Sequence, residues 1–269
     1  MSEKLIRLAL VGKDVKKSDS ARMHTFILNR FGYTCEYELA SVAKEDFDSV
    51  LTRLLGDFDG FNVTIPYKRD VMAYLDEIAG DAFDFGAVNT VCTATRQGFN
   101  TDGVGFLLML RLAGVEVKDK KVLVLGGGGS GRSTAAALKR AGAKVSVYQR
   151  RREKLEELCN ELGVTPAGDP ECGGYDILVN CTGVGMHDSE GVSPVSAQAF
   201  AGASYAIDLI YRPAVSEFLR LAGEAGISTL NGKAMLFYQA YYADCIYLGE
   251  DPDDAEAQGL YEAYLGETL

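Results

Sequence analysis

The stretch Lys121-Val-Leu-Val-Leu-Gly126-Gly-Gly-Gly-Ser-Gly131-Arg-Ser-Thr-Ala-Ala-Ala-Leu-Lys-Arg-Ala141-Gly142-Ala-Lys144-Val-Ser-Val-Tyr148 decides the fold. Lys121 to Leu125 is a short apolar run with the length and β-branched content of a buried strand. The helix from Gly131 to Ala141 stops at Gly142, and Lys144 to Tyr148 reads as a second strand. Strand, helix and strand in this rhythm predict a parallel βαβ unit with a right-handed crossover. Between the first strand and the helix, Gly126, Gly128 and Gly131 match G-x-G-x-x-G, the dinucleotide-binding fingerprint. The first glycine permits the tight turn, the second lets a pyrophosphate approach the backbone, and the third lets helix and sheet pack closely. Gly127, Gly129 and Ser130 complete the loop, whose free N–H groups and helix-dipole end suit an anion. A purely structural turn is the competing reading, and the strand-loop-helix context weighs against it.

The second strand runs into Gln149-Arg150-Arg151-Arg152. An NAD site places an acid here for the ribose 2′-OH; arginines suit the 2′-phosphate of NADP through bidentate, charge-assisted bonds. Arg150 first and Arg151 second are expected to hold that phosphate, against the reading of a solvated basic helix start.

Working outward, Leu155, Leu158 and Leu162 mark the next helix, and Ile177 to Asn180 and Tyr205 to Ile210 read as further buried strands. After Gly232 the stripe Met235, Leu236, Gln239, Tyr242, Ile246 is helical again. Toward the N-terminus, strands are expected at Leu5 to Gly12, Tyr33 to Leu39, Phe58 to Ile65 and Val88 to Ala94. Helices are expected through Met23 to Phe31, through Phe47 to Leu55, after Pro66, and from Gly103 to Ala113. The prediction is an α/β chain of two domains. Residues 1–102 and 232–269 form an N-terminal α/β substrate-binding catalytic domain with C-terminal helices returning to it. Residues 103–231 form a Rossmann-type, doubly wound dinucleotide-binding domain.

The 269 residues suffice for two cores, and 47% hydrophobic with 24% charged residues is ordinary for a globular protein. A net charge of −11 argues against nucleic acid or an anionic membrane as partner. No apolar run approaches the roughly 18 residues of a membrane span, and the N-terminus lacks a secretory pattern. The six cysteines have no CxxC spacing, as expected of reduced cysteines in a cytoplasmic protein. With His24 and His187 the only histidines, no metal site is expected.

Two polar stretches carry chemistry: Asn62-Val-Thr-Ile-Pro-Tyr-Lys68 and Asn100-Thr-Asp102. Each puts hydrogen-bonding side chains beside a charged group just past an apolar run, as needed to hold a polyhydroxylated small molecule and move a proton on it. Lys68 and Asp102 are candidates for a coupled proton-transfer pair, with a plain surface salt bridge as the alternative. Together with the glycine loop they point to an oxidoreductase.

With Gly86-Ala-Val-Asn-Thr90, Asn180-Cys-Thr-Gly-Val-Gly-Met186, Asp208-Leu-Ile-Tyr211 and Gly232-Lys-Ala-Met-Leu-Phe-Tyr-Gln239, these stretches resemble the shikimate dehydrogenase family, in family order from about Gly12 to Gln239. The resemblance implies NADP(H)-linked interconversion of 3-dehydroshikimate and shikimate in the pathway to chorismate and aromatic amino acids, by a monomer or homodimer. It implies a site in the cleft between two domains. Lys68 and Asp102 match its catalytic pair, with the lysine stabilising charge on the ketone oxygen. Asn62, Thr64, Asn89, Tyr211 and Gln239 match binders of substrate hydroxyls, and Ser18 and Ser20 match the pair that holds the carboxylate. Thr182, Met186, Leu209 and Gly232 fall where the family lines the nicotinamide and its ribose.

One loop departs from the family pattern. Asp14, Lys17 and Ala21 stand where the family has proline, histidine and proline, while the spacing from Gly12 to Ser18 is kept. A looser loop leaves open a quinate/shikimate dehydrogenase with broader substrate or NAD use. Ser20 as a helix cap is the bland reading of that residue. A ligand sensor without turnover is a third reading, opposed by retention of both Lys68 and Asp102.

Overall fold

The structure, a computed structural model, describes residues 4–267. It divides into two compact units, one running to Leu108 and resuming at Phe237, the other Met109–Leu236. Both crossings fall inside helices, so the units divide at Met109 and Phe237 rather than at the glycines 103 and 232 that punctuate the sequence.

The first unit begins with β1 (Lys4–Gly12), α1 (Ser20–Arg30), β2 (Tyr33–Ser41), α2 (Phe47–Asp57) and β3 (Gly60–Val63). It continues through β4 (Glu77–Ile78), α3 (Asp81–Phe85), β5 (Thr90–Cys92), β6 (Gln97–Phe99) and the start of α4 (Asp102–Leu112). The sheet order is β2-β1-β3-β5-β6-β4. Strands β1, β2 and β3 are parallel, Leu8 lying between Tyr37 and Gly60, and β5 turns antiparallel against β3. Helical spacing puts Phe47, Leu51 and Leu54 on one face of α2, buried with Phe61, Val63, Tyr67 and Val91. Ile6, Leu8 and Leu28 form a second cluster that packs with Tyr37 and Tyr247.

Four expected elements depart from the sequence pattern, and for two of them the hydrogen bonds say why. The Val88 amide donates to Lys68 O, and Ala94 lies in the Thr93–Arg96 turn, so β5 keeps only Thr90–Cys92. With its carbonyl taken by Val88, Lys68 cannot continue an α-helical ladder, and the segment after Pro66 is turn followed by a short 3₁₀ helix, Asp70–Tyr74. The strand expected to reach Ile65 ends at Val63 and the one expected to reach Ile210 ends at Asp208.

The second unit holds β7 (Lys121–Leu125), α5 (Gly129–Arg140), β8 (Lys144–Tyr148), α6 (Arg152–Leu162), β9 (Thr165–Pro166), β10 (Ile177–Asn180), β11 (Tyr205–Asp208), α7 (Glu217–Glu224) and β12 (Ser228–Asn231). Every pairing in its six-stranded sheet is parallel, in the order β12-β11-β10-β7-β8-β9. That is the doubly wound Rossmann order, which reverses direction between β7 and β10. Connections leaving the carboxyl ends of β7 and β10 diverge to opposite faces and leave a crevice there. The glycine loop follows β7 and the segment Cys181–Met186 follows β10, so both meet this crevice. Leu123, Leu125, Leu178, Phe200, Ala206 and Phe218 form the core on one face. Two helices, α8 (Lys233–Leu248) and α9 (Asp254–Gly266), then close the chain.

Candidate active site

In the first unit, Lys68 sits in the turn after β3 and Asp102 opens α4. Lys68 Nζ lies 2.5 Å from Asp102 Oδ2, and the two residues are only 7% and 6% exposed. A surface salt bridge is therefore the wrong description. Desolvating two charges opposes their attraction, so such a pair is a poor device for stability, and its retention calls for another reason. The pair is held rigidly: the Lys68 carbonyl accepts from the Val88 amide at 2.8 Å, and the Asp102 amide donates to Asn100 Oδ1 at 3.1 Å. At the first turn of α4, Asp102 also has its negative charge at the positive end of the helix.

Asn89 organises what surrounds the pair. Its Nδ2 donates to Asp102 Oδ1 at 2.8 Å and to Thr101 Oγ1 at 3.0 Å, with Gln239 Oε1 at 3.3 Å. Its Oδ1 accepts from the Thr101 amide and from Thr90 Oγ1, both at 2.9 Å. With both amide ends satisfied and the residue buried, Asn89 is no turn residue. Asn62, also buried, has its Oδ1 taken by Tyr37 Oη at 2.9 Å and its Nδ2 near Thr90 Oγ1 at 3.3 Å. Gln239 is brought in by close backbone contact: a Cβ on Gly105 of α4 would lie 2.7 Å from the Gln239 amide nitrogen of α8. Thr64 is half-buried, and its amide donates to Val11 O at 2.9 Å. Ser18 Oγ lies 2.9 Å from Ser20 Oγ and accepts from the Ser20 amide at 3.2 Å. The cap reading of Ser20 fails, because Asp19 occupies the N-cap position of α1 and Ser20 is already helical.

In the second unit, the glycines separate by what surrounds them. Gly126 has φ +101°, in the region that favours glycine, and a Cβ on Gly131 would meet Gly126 O at 2.0 Å. Gly128, the N-cap of α5, has φ −72° and ψ −175°, and a Cβ there would meet nothing within 4 Å. Neither backbone conformation nor protein packing requires glycine at 128. The open position leaves room for a pyrophosphate against the helix N-terminus, and on this point the loop fits a dinucleotide. The Gly126 amide donates to Tyr148 O, which ties the loop to the end of β8. Arg150 and Arg151 follow two and three residues later, both exposed. Among the described residues, no hydrogen bond or ion pair holds either guanidinium, whereas Arg152 pairs with Glu156 at 2.8 Å. No carboxylate stands at Gln149-Arg150-Arg151 to receive a ribose 2′-OH.

Asn180 shapes the segment after β10. Its Oδ1 accepts from Thr182 Oγ1 at 2.7 Å and the Thr182 amide at 3.0 Å, while Nδ2 donates to Asp208 Oδ1 at 3.1 Å. Asp208 is fully buried, and burial lifts its carboxyl above the ordinary value, although Ser216, the Ile210 amide and Asn180 all donate to it. Gly232 is required by contact, since a Cβ would lie 2.2 Å from Leu209 O. Leu209, Met186 and Tyr211 are half-buried, with the Arg212 guanidinium 5.9 Å from the Tyr211 ring centroid. The expected site residues thus fall into two groups. Ser18, Ser20, Asn62, Thr64, Lys68, Asn89, Asp102 and Gln239 are in the first unit; Tyr211 and the expected cofactor residues are in the second.

Residues 10–91 match the sequence profile of the shikimate dehydrogenase substrate binding domain, and residues 99–167 that of the alanine dehydrogenase/PNT C-terminal domain. The chain is 36% identical to the NADP(+) shikimate dehydrogenase of Thermus thermophilus over 261 residues, covering 96% of this chain and 97% of that protein. The chain belongs to the shikimate dehydrogenase family. A crystal structure of the Thermus thermophilus enzyme in complex with NADP(H) and shikimate superposes with a TM-score of 0.88, at 35% identity, covering 96% of this chain and 99% of that one. A shikimate 5-dehydrogenase from Listeria monocytogenes, in complex with shikimate and NAD, has a TM-score of 0.82 at 26% identity, covering 96% of each chain.

As a shikimate dehydrogenase family member the chain carries polar residues that motif reading passed over. Thr101 lies inside Asn100-Thr-Asp102 and is buried against Asn89, and Thr90 closes the contact between Asn89 and Asn62. Tyr37 falls inside the strand expected at Tyr33 to Leu39 and carried no site expectation, yet its hydroxyl bonds Asn62. Pairing at long sequence separation gave no local signal for it.

Proposed function

We propose that this chain is an NADP-dependent shikimate dehydrogenase, catalysing reversible reduction of 3-dehydroshikimate to shikimate in the supply of chorismate for aromatic amino acids. The observation that carries this reading is the buried Lys68–Asp102 pair, tied by Asn89 to Thr101 and Gln239. Lys68 Nζ donates a proton to the developing alkoxide in reduction and takes one from the hydroxyl in oxidation. Asp102 Oδ2 holds Nζ in place and Oδ1 fixes Asn89. Asn62, Thr64, Asn89, Gln239 and Tyr211 bind the hydroxyls, and Ser18 and Ser20 the carboxylate. When bound, the nicotinamide of NADP(H) supplies or accepts the hydride. Gly126–Gly131 would hold its pyrophosphate, Arg150 and Arg151 its 2′-phosphate, and Thr182, Met186, Leu209 and Gly232 the nicotinamide end. Six cysteines free of disulfides support action in the cytoplasm, as a monomer or homodimer.

Quinate is the second reading, favoured by one observation: the loop holding Ser18 and Ser20 has Asp14, Lys17 and Ala21 in place of the family's stiffening residues. Steady-state assays of shikimate and quinate, each with NADP⁺ and NAD⁺, separate the two. Lys68→Ala is expected to lower kcat about 10²- to 10⁴-fold. A wild-type protein that binds shikimate but turns over with neither cofactor would be a sensor and would end the enzyme reading.

A further inference from the structure

The carboxyl ends of β10 and β11 lie side by side, with Asn180 and Asp208 in register and both fully buried. Each strand runs into a loop that carries residues expected at the nicotinamide end: Thr182 and Met186 after β10, Leu209 after β11. Neither Asn180 nor Asp208 is among those expected residues, yet the Asp208 carboxyl binds both loops at once. Its Oδ1 accepts from Asn180 Nδ2 at 3.1 Å and from the Ile210 amide at 3.0 Å. Its Oδ2 accepts from Ser216 Oγ, which also caps α7 by accepting from the Leu219 amide at 3.3 Å. All three donors to Asp208 are neutral, so hydrogen bonds rather than an ion pair hold this buried acid.

Oδ1 has no proton to give, and that dictates the rest. It turns Asn180 Nδ2 toward β11, where Nδ2 also reaches Val184 O at 3.2 Å. The amide oxygen of Asn180 then faces the other way and accepts from the Thr182 amide at 3.0 Å and Thr182 Oγ1 at 2.7 Å. Thr182 Oγ1 in turn accepts from the Val184 amide at 3.1 Å. After β11, Ile210 is held at its amide by Asp208 and at its carbonyl by the Gly232 amide at 3.3 Å, which fixes the backbone next to Leu209. The two loops also touch: a Cβ on Gly185 would lie 3.4 Å from Ile210 Cδ1 and 3.5 Å from Ser216 Cβ.

We propose that Asp208 is a positioning residue for the nicotinamide half of the cofactor: its carboxyl sets the Asn180 amide and the Ile210 peptide, and so fixes the loops after β10 and β11 as one surface. The role needs an acceptor at Oδ1 rather than a charge. In Asp208→Asn the side-chain oxygen keeps the bonds from Asn180 and Ile210, and the new Nδ2 donates to Ser216 Oγ, which reverses that one contact. In Asp208→Ala the Ile210 amide and the Ser216 hydroxyl lose their acceptor, and the Asn180 amide loses what orients it.

The proposal rests on the NADP reading of this unit. Calorimetric titration with two ligands tests both: NADP⁺, and adenosine 2′,5′-bisphosphate, which is the same cofactor without its nicotinamide half. A wild type that binds neither ends the NADP reading and the proposal with it; the variants bear on the proposal alone. Asp208→Ala is expected to raise the Kd for NADP⁺ about tenfold and to leave that for the bisphosphate within about twofold. Asp208→Asn is expected to stay within about threefold of wild type for both ligands. Asn180→Ala leaves the Ile210 and Ser216 bonds to Asp208 in place and cuts only the link to Thr182. It is expected to show the same split as Asp208→Ala, and it carries the test should Asp208→Ala not fold. Parallel weakening of both ligands, wild-type NADP⁺ binding in the alanine variants, or an asparagine variant as weak as alanine overturns the proposal.

Discussion

Gly128 and Gly131 look alike in the sequence, but alanine should do opposite things at the two positions. At Gly131 a Cβ would lie 2.0 Å from Gly126 O and 2.9 Å from Gly126 C, where about 3.5 Å is comfortable. The obstacle is backbone, so it cannot swing aside as a side chain would. Overpacking of this kind costs about 3 kcal/mol, and the better helix propensity of alanine returns about 1. A net loss of about 2 kcal/mol should lower Tm by about 4–8 °C. At Gly128 the backbone is extended and open, so alanine gains about 0.5–1 kcal/mol by restricting the unfolded chain. It gives up a similar amount as a poorer N-cap. Tm should therefore hold within about 2 °C. The new methyl group stands where the pyrophosphate would meet the helix N-terminus, so the KM for NADP⁺ should rise at least about tenfold with the shikimate KM unchanged. Thermal melts and steady-state kinetics on both variants are enough. If Gly128→Ala kept the wild-type KM for NADP⁺, the loop would be a structural turn, and assigning the cofactor to it would be wrong.

Three further outcomes follow from the same geometry. Arg150→Ala should raise the KM for NADP⁺ at least about tenfold, the loss of a charge-assisted contact, and leave NAD⁺ within about twofold; equal losses for the two cofactors would dismiss the 2′-phosphate role. Gly105→Ala should push on the Gln239 backbone, raising the shikimate KM while sparing that for NADP⁺, and matched losses for both ligands would count against Gln239 as a substrate ligand. Burial lifts the Asp244 carboxyl to about 6, with His24 opposing the shift and Tyr37, Tyr247, Cys35 and Cys245 also close by. A raised acid contributes stability that is fully present below the ordinary carboxylate value and lost as pH climbs through about 6. Asp244→Asn lacks that loss, so its stability relative to wild type should improve between pH 4 and pH 7, by on the order of 2–3 kcal/mol; urea midpoints that run parallel across this range would exclude the effect.

Local pattern carried the α/β fold a long way. Strand β7, the glycine loop and α5 were legible because sequence neighbours are spatial neighbours there, and Gly126 and Gly131 each have a local or helix-packing reason. The shortened strands were not, because their ends are set by distant partners: Val88 gives its amide to Lys68 rather than to a ladder, and nothing near Val88 in sequence announces it. The same holds in the site. Asn89 and Lys68 could be picked out by motif, but Thr101, Thr90 and Tyr37 matter through partners 11 to 28 residues away. Their residue types are common in strands and loops, so type alone carried no signal. The buried ion pair was readable as two residues, whereas its burial, which separates it from a surface salt bridge, needed coordinates.

Burial also explains why the site is built as a connected network rather than as separate contacts. Among the described residues sixteen polar or charged ones are buried, and seven of them, Ser20, Asn62, Lys68, Asn89, Thr90, Thr101 and Asp102, belong to the candidate site. A buried polar group without a partner costs about 1–3 kcal/mol, so before substrate arrives these seven are satisfied by one another and their neighbours. That requirement turns the ligand-binding groups into one another's partners: Ser18 with Ser20, Asn62 with Tyr37 and Thr90, Thr90 with Asn89, Asn89 with Asp102, Asp102 with Lys68. Substrate then binds by exchanging bonds, and the exchange at one end must propagate to groups that share a proton with it. Hydroxyls can reverse direction and amides cannot. Thr90 Oγ1, which accepts from Asn62 Nδ2 at 3.3 Å and donates to Asn89 Oδ1 at 2.9 Å, is the hydroxyl that stands between the first asparagine and the Asn89–Asp102–Lys68 end of the network.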